Sequence, residues 1–213
     1  LGLDAERLRV VPTGLDWDAL ARSADRAPDP DGRTRFLFLG TLVPHKGAHV
    51  LLDAFARLGA AGRARATLTL HGPADSDPAY VDALEARATE VGAELGPRLD
   101  RAGVARALSS HDVLVVPSLW LEVRPLVIVE AYAAGLRVVA SDLGGMAELL
   151  GEGIGGRTFA AGDAAALADA LSAEVGLDPA EQNPAPGPSA AFPTWDAMLD
   201  SVIDETEEAR ALR

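Results

Sequence analysis

Four short runs of this chain, around Phe36, Leu68, Leu114 and Val138, are apolar almost from end to end. A strand without a polar face must be covered on both sides, and a parallel sheet flanked by helices meets that condition. The pattern predicts strands at Arg9–Val11, Arg35–Leu39, Ala66–His71, Asp112–Val116 and Arg137–Ser141, with a weaker one at Gly92–Leu95. Helices are predicted at Ala48–Gly59, Pro78–Val91, Arg101–Ser110 and Pro125–Ala134, then near Met146–Leu150 and Asp163–Ala173. Strand–helix alternation specifies right-handed crossovers, and therefore an α/β fold with a doubly wound parallel sheet.

Residues 176–193 break the alternation, with five prolines in eighteen residues. They read as a flexible linker or an ordered surface strap. Beyond them Thr194 can cap a final helix with Trp195, Met198, Leu199 and Val202 on one face. The expected organisation is thus a linker and first strand over 1–16, a ligand-binding domain over 17–175, the Pro-rich linker over 176–193, and a helix over 194–213. The chain opens at Leu1 in the middle of a pattern, so a piece of a longer protein is expected; a processed start is the other reading.

Composition narrows the chemistry. The 213 residues include no cysteine, which excludes disulfides, thiolate catalysis and thiolate–zinc sites. With 32 acidic against 19 basic side chains the net charge is −13, which argues against nucleic acid as the main partner. An anionic ligand would have to be held by local positive potential. No stretch reaches the roughly 18 apolar residues of a membrane span. A cytoplasmic location is expected, since no targeting segment is evident.

In an open parallel sheet, ligands bind beyond the carboxyl ends of the strands. After the strand at Phe36 comes Gly40–Gly47, GTLVPHKG, which has neither P-loop nor dinucleotide-loop spacing. It carries Lys46, the one lysine beside eighteen arginines. At a strand–helix turn such an ammonium suits a diphosphate; a solvated surface lysine is the plainer reading. After the strand at Leu114 comes PSLWLEVRPLVIVEAYAAG, where Pro125 fits a first helical residue. Backbone N–H groups near Val123–Leu126 would then form a helix N-terminal anion site, with Arg124 adding charge. Glu122 in the loop and Glu130 in the helix can both face the crevice and suit sugar hydroxyls; a capping and a surface glutamate would look the same. Gly144 and Gly145 open a further helix N-terminus, and GEGIGG at 151–156 reads as a glycine-rich turn. His45, His49, His71 and His111 lack metal-site spacing, so no metal site is expected.

Taken together, these segments resemble the donor-binding, C-terminal half of a retaining GT-B glycosyltransferase of the family-four, or group 1, type. VVPTGLD resembles that family's entry into its second domain, and RFLFLGTLVPHKGAHVLLDAFARL its F-x-G-R-L-x-x-x-K-G segment. HGP at 71–73 matches a G-x-G turn loosely. The most specific stretch spans LGPRLDRAGVARALSSHDVLVVPSLW, the E-x(7)-E spacing of Glu122 and Glu130, and EAYAAGLRVVASDLGGMAELL. The resemblance implies a Rossmann-like sheet that binds a nucleoside-diphosphate sugar, with no separate cofactor and no metal. By position, Lys46 would contact the diphosphate, and backbone amides at Val123, Arg124 and Leu126 would shape the phosphate and sugar pocket with Gly40 and Thr41. Glu122 would meet sugar hydroxyls, Glu130 the ribose, and Leu99 would lie against the base. Lys46 and Glu122 would be the catalytic pair.

Two departures stand out. Thr41 occupies the place of the family's usual arginine, and Val123–Arg124 replaces small or aromatic residues. Arg124 is expected to restore the charge absent at Thr41. The resemblance implies an acceptor-binding domain outside these 213 residues, so the chain alone is expected to bind donor weakly and to transfer no sugar. The competing readings are a non-catalytic nucleotide-sugar-binding module and a GT-B sugar-nucleotide epimerase. A dinucleotide oxidoreductase is disfavoured, because no strand is followed by the required glycine fingerprint.

Overall fold

The computed structural model describes residues 11, 13–17, 20, 27–151, 156–177 and 193–211, with side chains as far as residue 203. Among the described residues, β1 (Thr34–Leu39), β2 (Ala66–His71), β3 (Glu94–Gly96), β4 (Val113–Val116), β5 (Arg137–Ser141) and β6 (Gly156–Phe159) form one sheet. Every pairing is parallel, in the order β3-β2-β1-β4-β5-β6. The expected doubly wound, Rossmann-like sheet is therefore present.

Helices cover both faces. α1 (Ala48–Arg57) follows a short 3-10 turn at Pro44–Lys46 and is continued by α2 (Gly59–Ala64). Then come α3 (Pro78–Val91), α4 (Arg101–Ser110), α5 (Leu126–Ala133), α6 (Gly144–Gly151), α7 (Ala164–Glu174) and α8 (Trp195–Ala211). Phe36, Phe38, Leu68, Leu70, Val113 and Val115 pack with Leu51, Phe55, Leu84 and Leu171 of α1, α3 and α7. The alternate residues Leu37 and Leu114 point to the opposite face and are equally buried. Double coverage is why these strands read as unbroken apolar runs.

Local signals set the helix ends. Asp77 caps α3 by accepting from the Tyr80 N–H at 3.1 Å, Pro78 begins the helix, and Gly92 ends it with φ of 76°. Asp100 caps α4 through the Gly103 N–H at 2.7 Å. Thr194 caps α8 as expected, accepting from the Ala197 N–H at 3.1 Å.

Several boundaries move. The weak strand lies at Glu94–Gly96, two residues later than expected, and the first full strand begins at Thr34. Pro125 is the N-cap of α5 rather than its first helical residue, so the helix begins at Leu126. β6 and α2 were not expected. Of the proposed strand at Arg9–Val11, Arg9 and Val10 lie outside the described residues, as do 152–155 of the glycine-rich turn and 178–192 of the Pro-rich segment.

Contacts divide the chain into one unit of Leu20–Pro186 and another of Leu1–Ala19 with Gly187–Arg213. Within the second unit, Leu15 bridges in parallel to Thr194 and donates its N–H to the Pro193 carbonyl at 3.0 Å. Trp195, Leu199, Val202 and Ile203 of α8 are exposed. Among the described residues no helix is long and apolar enough to cross a membrane.

Candidate functional site

From β1 the sheet grows to β2 and β3 on one side and to β4, β5 and β6 on the other. At such a reversal the loops leave toward opposite faces and open a crevice beyond the strand ends. The loops after β1 and β4 meet at this point. The Leu119 N–H donates to the His45 carbonyl at 2.7 Å. Gly47 adopts φ of 74°, and a Cβ there would lie 1.9 Å from the Pro117 carbonyl oxygen. Both the left-handed backbone and the close approach require glycine.

This junction carries Lys46 to Glu122, and Lys46 Nζ pairs with Glu122 Oε1. The Ser118 hydroxyl, in a residue only 1% exposed, donates to the same oxygen at 3.0 Å. Ser118 Oγ also lies 3.3 Å from the His45 carbonyl and accepts from the Trp120 N–H at 3.3 Å. The backbone is held too. The Glu122 carbonyl accepts from the Gly145 N–H at 2.8 Å, and a Cβ on Gly145 would meet the Val123 carbonyl oxygen at 1.9 Å. The first turn of α6 therefore clamps the loop, and one of its N–H groups is spent on protein rather than left for a ligand.

Glu130 stands within α5 and is half-buried. Burial pushes its carboxyl above the usual carboxylate range, and the positive charge of Arg101 offsets this only in part. Leu99, two residues before Arg101, packs against Gly103 at the start of α4. Leu99, Arg101 and Glu130 thus belong to the loop and helices beside β3 and β4, and Lys46 with Glu122 to the β1–β4 junction.

The remaining expected residues line the same strand ends. Gly40 donates its N–H to the His71 carbonyl at 3.1 Å, and a Cβ on Gly72 would lie 1.7 Å from the Gly40 carbonyl oxygen. Thr41 is half-buried just beyond. Val123 is 92% exposed, Arg124 is half-buried, and Leu126 opens α5, whose N-cap residue Pro125 makes no side-chain capping bond; the Ile128 N–H turns back to the Pro125 carbonyl at 3.1 Å. Uncapped N–H groups at a helix start favour an anion. Trp120 and Leu121 are exposed, and the Trp120 ring stands 6.2 Å from that of His45. Among the described residues, no three His, Asp or Glu side chains are grouped to hold a metal ion.

Sequence reasoning missed Ser118 and Arg101. The available signal was position: a hydroxyl two residues after a buried strand, and a cation at the start of the helix that follows β3.

The family model for "Glycosyl transferases group 1" matches residues 33–174. A phosphatidyl-myo-inositol mannosyltransferase from Mycobacterium leprae is 35% identical over 175 residues, covering 81% of this chain and 45% of that protein. A D-inositol 3-phosphate glycosyltransferase from Mycolicibacterium smegmatis is 30% identical over 209 residues, covering 94% and 47%. The chain therefore spans about half the length of the curated relatives it matches. Among solved structures, Anabaena HepE in complex with UDP and glucose superposes with a TM-score of 0.73 at 21% identity, covering 97% of this chain and 58% of that one. Sucrose-phosphate synthase from Thermosynechococcus elongatus gives 0.75 at 23% identity, covering 96% and 53%. The fold is the Rossmann-like half of the GT-B type.

Proposed function

This chain belongs to the group 1 glycosyltransferases, and from that premise we propose that it is the donor-binding half of an enzyme moving a sugar from a nucleoside diphosphate to an acceptor. The observation that carries the proposal is the Lys46–Glu122 pair at the β1–β4 switch point, beside the uncapped start of α5. A cation and the Leu126 and Val127 N–H groups on one side suit a diphosphate, and a carboxylate next to them suits sugar hydroxyls. Lys46 and the α5 N-terminus would bear the charge that develops on the leaving diphosphate, without a metal. Glu122 would orient the sugar, Glu130 would accept from the ribose, and Leu99 would cover the base. Arg124 would supply the charge that Thr41 lacks, and Gly40 would let the phosphates approach the β1 loop.

The substitution at the anomeric carbon would retain configuration, as the family resemblance implies. We place the acceptor site on a second domain outside these residues, and the working location in the cytoplasm, where nucleotide sugars are made. The domain limits expected from sequence, with donor binding confined to 17–175, form part of this proposal. Thr41 also supports a second reading, a module that binds nucleotide sugar without turning it over.

Calorimetric titration of the chain with UDP, GDP and ADP, beside Lys46→Ala and Glu130→Ala, tests the site. One nucleotide should bind in the micromolar-to-millimolar range and be lost in both variants. Binding that survives both substitutions, or no binding at all, overturns the assignment.

A further inference from the structure

We propose that Ser118 is a positioning residue that acts through Glu122 and makes this site prefer a nucleotide sugar to the free nucleoside diphosphate. The inference rests on the donor-site reading above and adds a determinant to it.

Glu122 Oε1 receives two donors of different character, the Lys46 ammonium and the Ser118 hydroxyl. Lys46 sits on a long flexible stem, and an arriving diphosphate competes for its charge. Ser118 cannot be drawn away in the same manner. Its residue is buried, and its oxygen is held from behind by the Trp120 N–H at 3.3 Å. A hydroxyl has one proton to give. Three acceptors lie within reach: Glu122 Oε1 at 3.0 Å, the His45 carbonyl at 3.3 Å and the Trp120 carbonyl at 3.4 Å. The carboxylate is the nearest and alone carries charge, so the proton points to it.

Once Lys46 turns to phosphate, Ser118 is the contact that keeps the Glu122 carboxylate in place. Both of these hydrogen bonds fall on Oε1 and none reaches Oε2 among the described residues, which leaves Oε2 able to accept from a sugar hydroxyl. A free nucleoside diphosphate has no such hydroxyl at that point, so the hold on Glu122 does nothing for it. Ser118 therefore separates the two ligands. A purely structural serine would affect both alike.

The test is calorimetry on the full chain with three ligand pairs, UDP and UDP-glucose, GDP and GDP-mannose, and ADP and ADP-glucose, for wild type, Ser118→Ala, Glu122→Ala and the double variant. For the pair that wild type binds, Ser118→Ala should weaken the nucleotide sugar about five-fold while the free nucleotide stays within about two-fold, the size of one hydrogen bond. In the Glu122→Ala background, where no side-chain oxygen is left to accept from Ser118, Ser118→Ala should produce no further loss, since a residue acting through another is silent once that one is removed. Equal weakening of both ligands, no change in either, or full additivity overturns the proposal. Wild type binding none of the six ligands overturns the donor-site reading itself, whereas wild type binding both members of a pair equally overturns only the role of Ser118.

Discussion

At the amino edge of the sheet, Arg35 reaches Asp112 with Nε at 3.0 Å and Nη2 at 2.7 Å, and the Arg35 backbone N–H adds a third bond at 2.8 Å. At the same edge Glu174, 2% exposed, gives one carboxylate oxygen to Arg137 and the other to Arg157 at 2.7 Å. At the carboxyl edge the Lys46–Glu122 pair loads both donors on Oε1 and leaves Oε2 without a described partner. The amino-edge carboxylates have every oxygen engaged, and their neighbours join β1 to β4 and β5 to α7. The carboxyl-edge pair keeps acceptor capacity in reserve. Saturated pairs fix a fold, whereas an unsaturated pair beside an uncapped helix start can exchange partners with a ligand.

Removing a partner at each edge should therefore have different consequences. Glu174→Gln leaves the Arg137 charge at a site only 9% exposed, where Arg137 Nη1 already lacks a partner among the described residues. The expected cost is about 3–5 kcal/mol of stability, as for other broken buried pairs, read as a fall in the urea midpoint. A loss under about 1 kcal/mol, the range of an exposed pair, would erase the contrast between the edges. Lys46→Ala touches a side chain that is 30% exposed, so its stability cost should stay below about 1 kcal/mol. Its effect should appear as at least about ten-fold weaker nucleotide binding, the scale of a charged hydrogen bond. An unfolding midpoint that drops as far as that of Glu174→Gln would make Lys46 a structural residue.

The legibility of the two edges in sequence follows the same division. β2, β5, α3 and α4 lie on the residues expected for them, because apolar runs, Asp caps and Gly92 act locally. β6 escaped notice because Gly156, Arg157 and Thr158 are exposed at the sheet edge, which removes the apolar signal. In sequence its glycine reads as part of a turn, whereas a Cβ at Gly156 would stand 2.0 Å from the Val138 carbonyl oxygen, so the residue serves close strand pairing. Lys46 and Glu122 could be placed beyond the carboxyl ends of strands from the strand–helix alternation alone. That they touch depends on Gly47 against Pro117 and Gly145 against Val123, contacts between segments about 70 and 20 residues apart that no local pattern encodes. Ser118 was hidden for a related reason: a serine after a strand reads as a turn residue until the carboxylate beside it is known.

The smallest expected effect concerns Glu130, the half-buried carboxylate of the carboxyl edge, and it carries a sign. Burial raises its folded-state pKa above the value of about 4.3 for an unperturbed glutamate, against the weaker influence of Arg101. A raised folded value means that the folded chain holds the proton more tightly than the unfolded one. Its stabilising contribution is complete below about pH 4.3 and is lost as the pH rises through the folded value. Glu130→Gln removes that dependence. The variant should match wild type near pH 4 and exceed it modestly at pH 7, when the two urea unfolding curves are compared at both values. A variant no more stable at pH 7 would mean that Arg101 compensates the carboxylate fully, which would move Glu130 into the class of the saturated amino-edge pairs. A variant more stable at pH 7 but unable to bind nucleotide would show an ionised carboxylate kept against the stability of the fold because a ligand uses it.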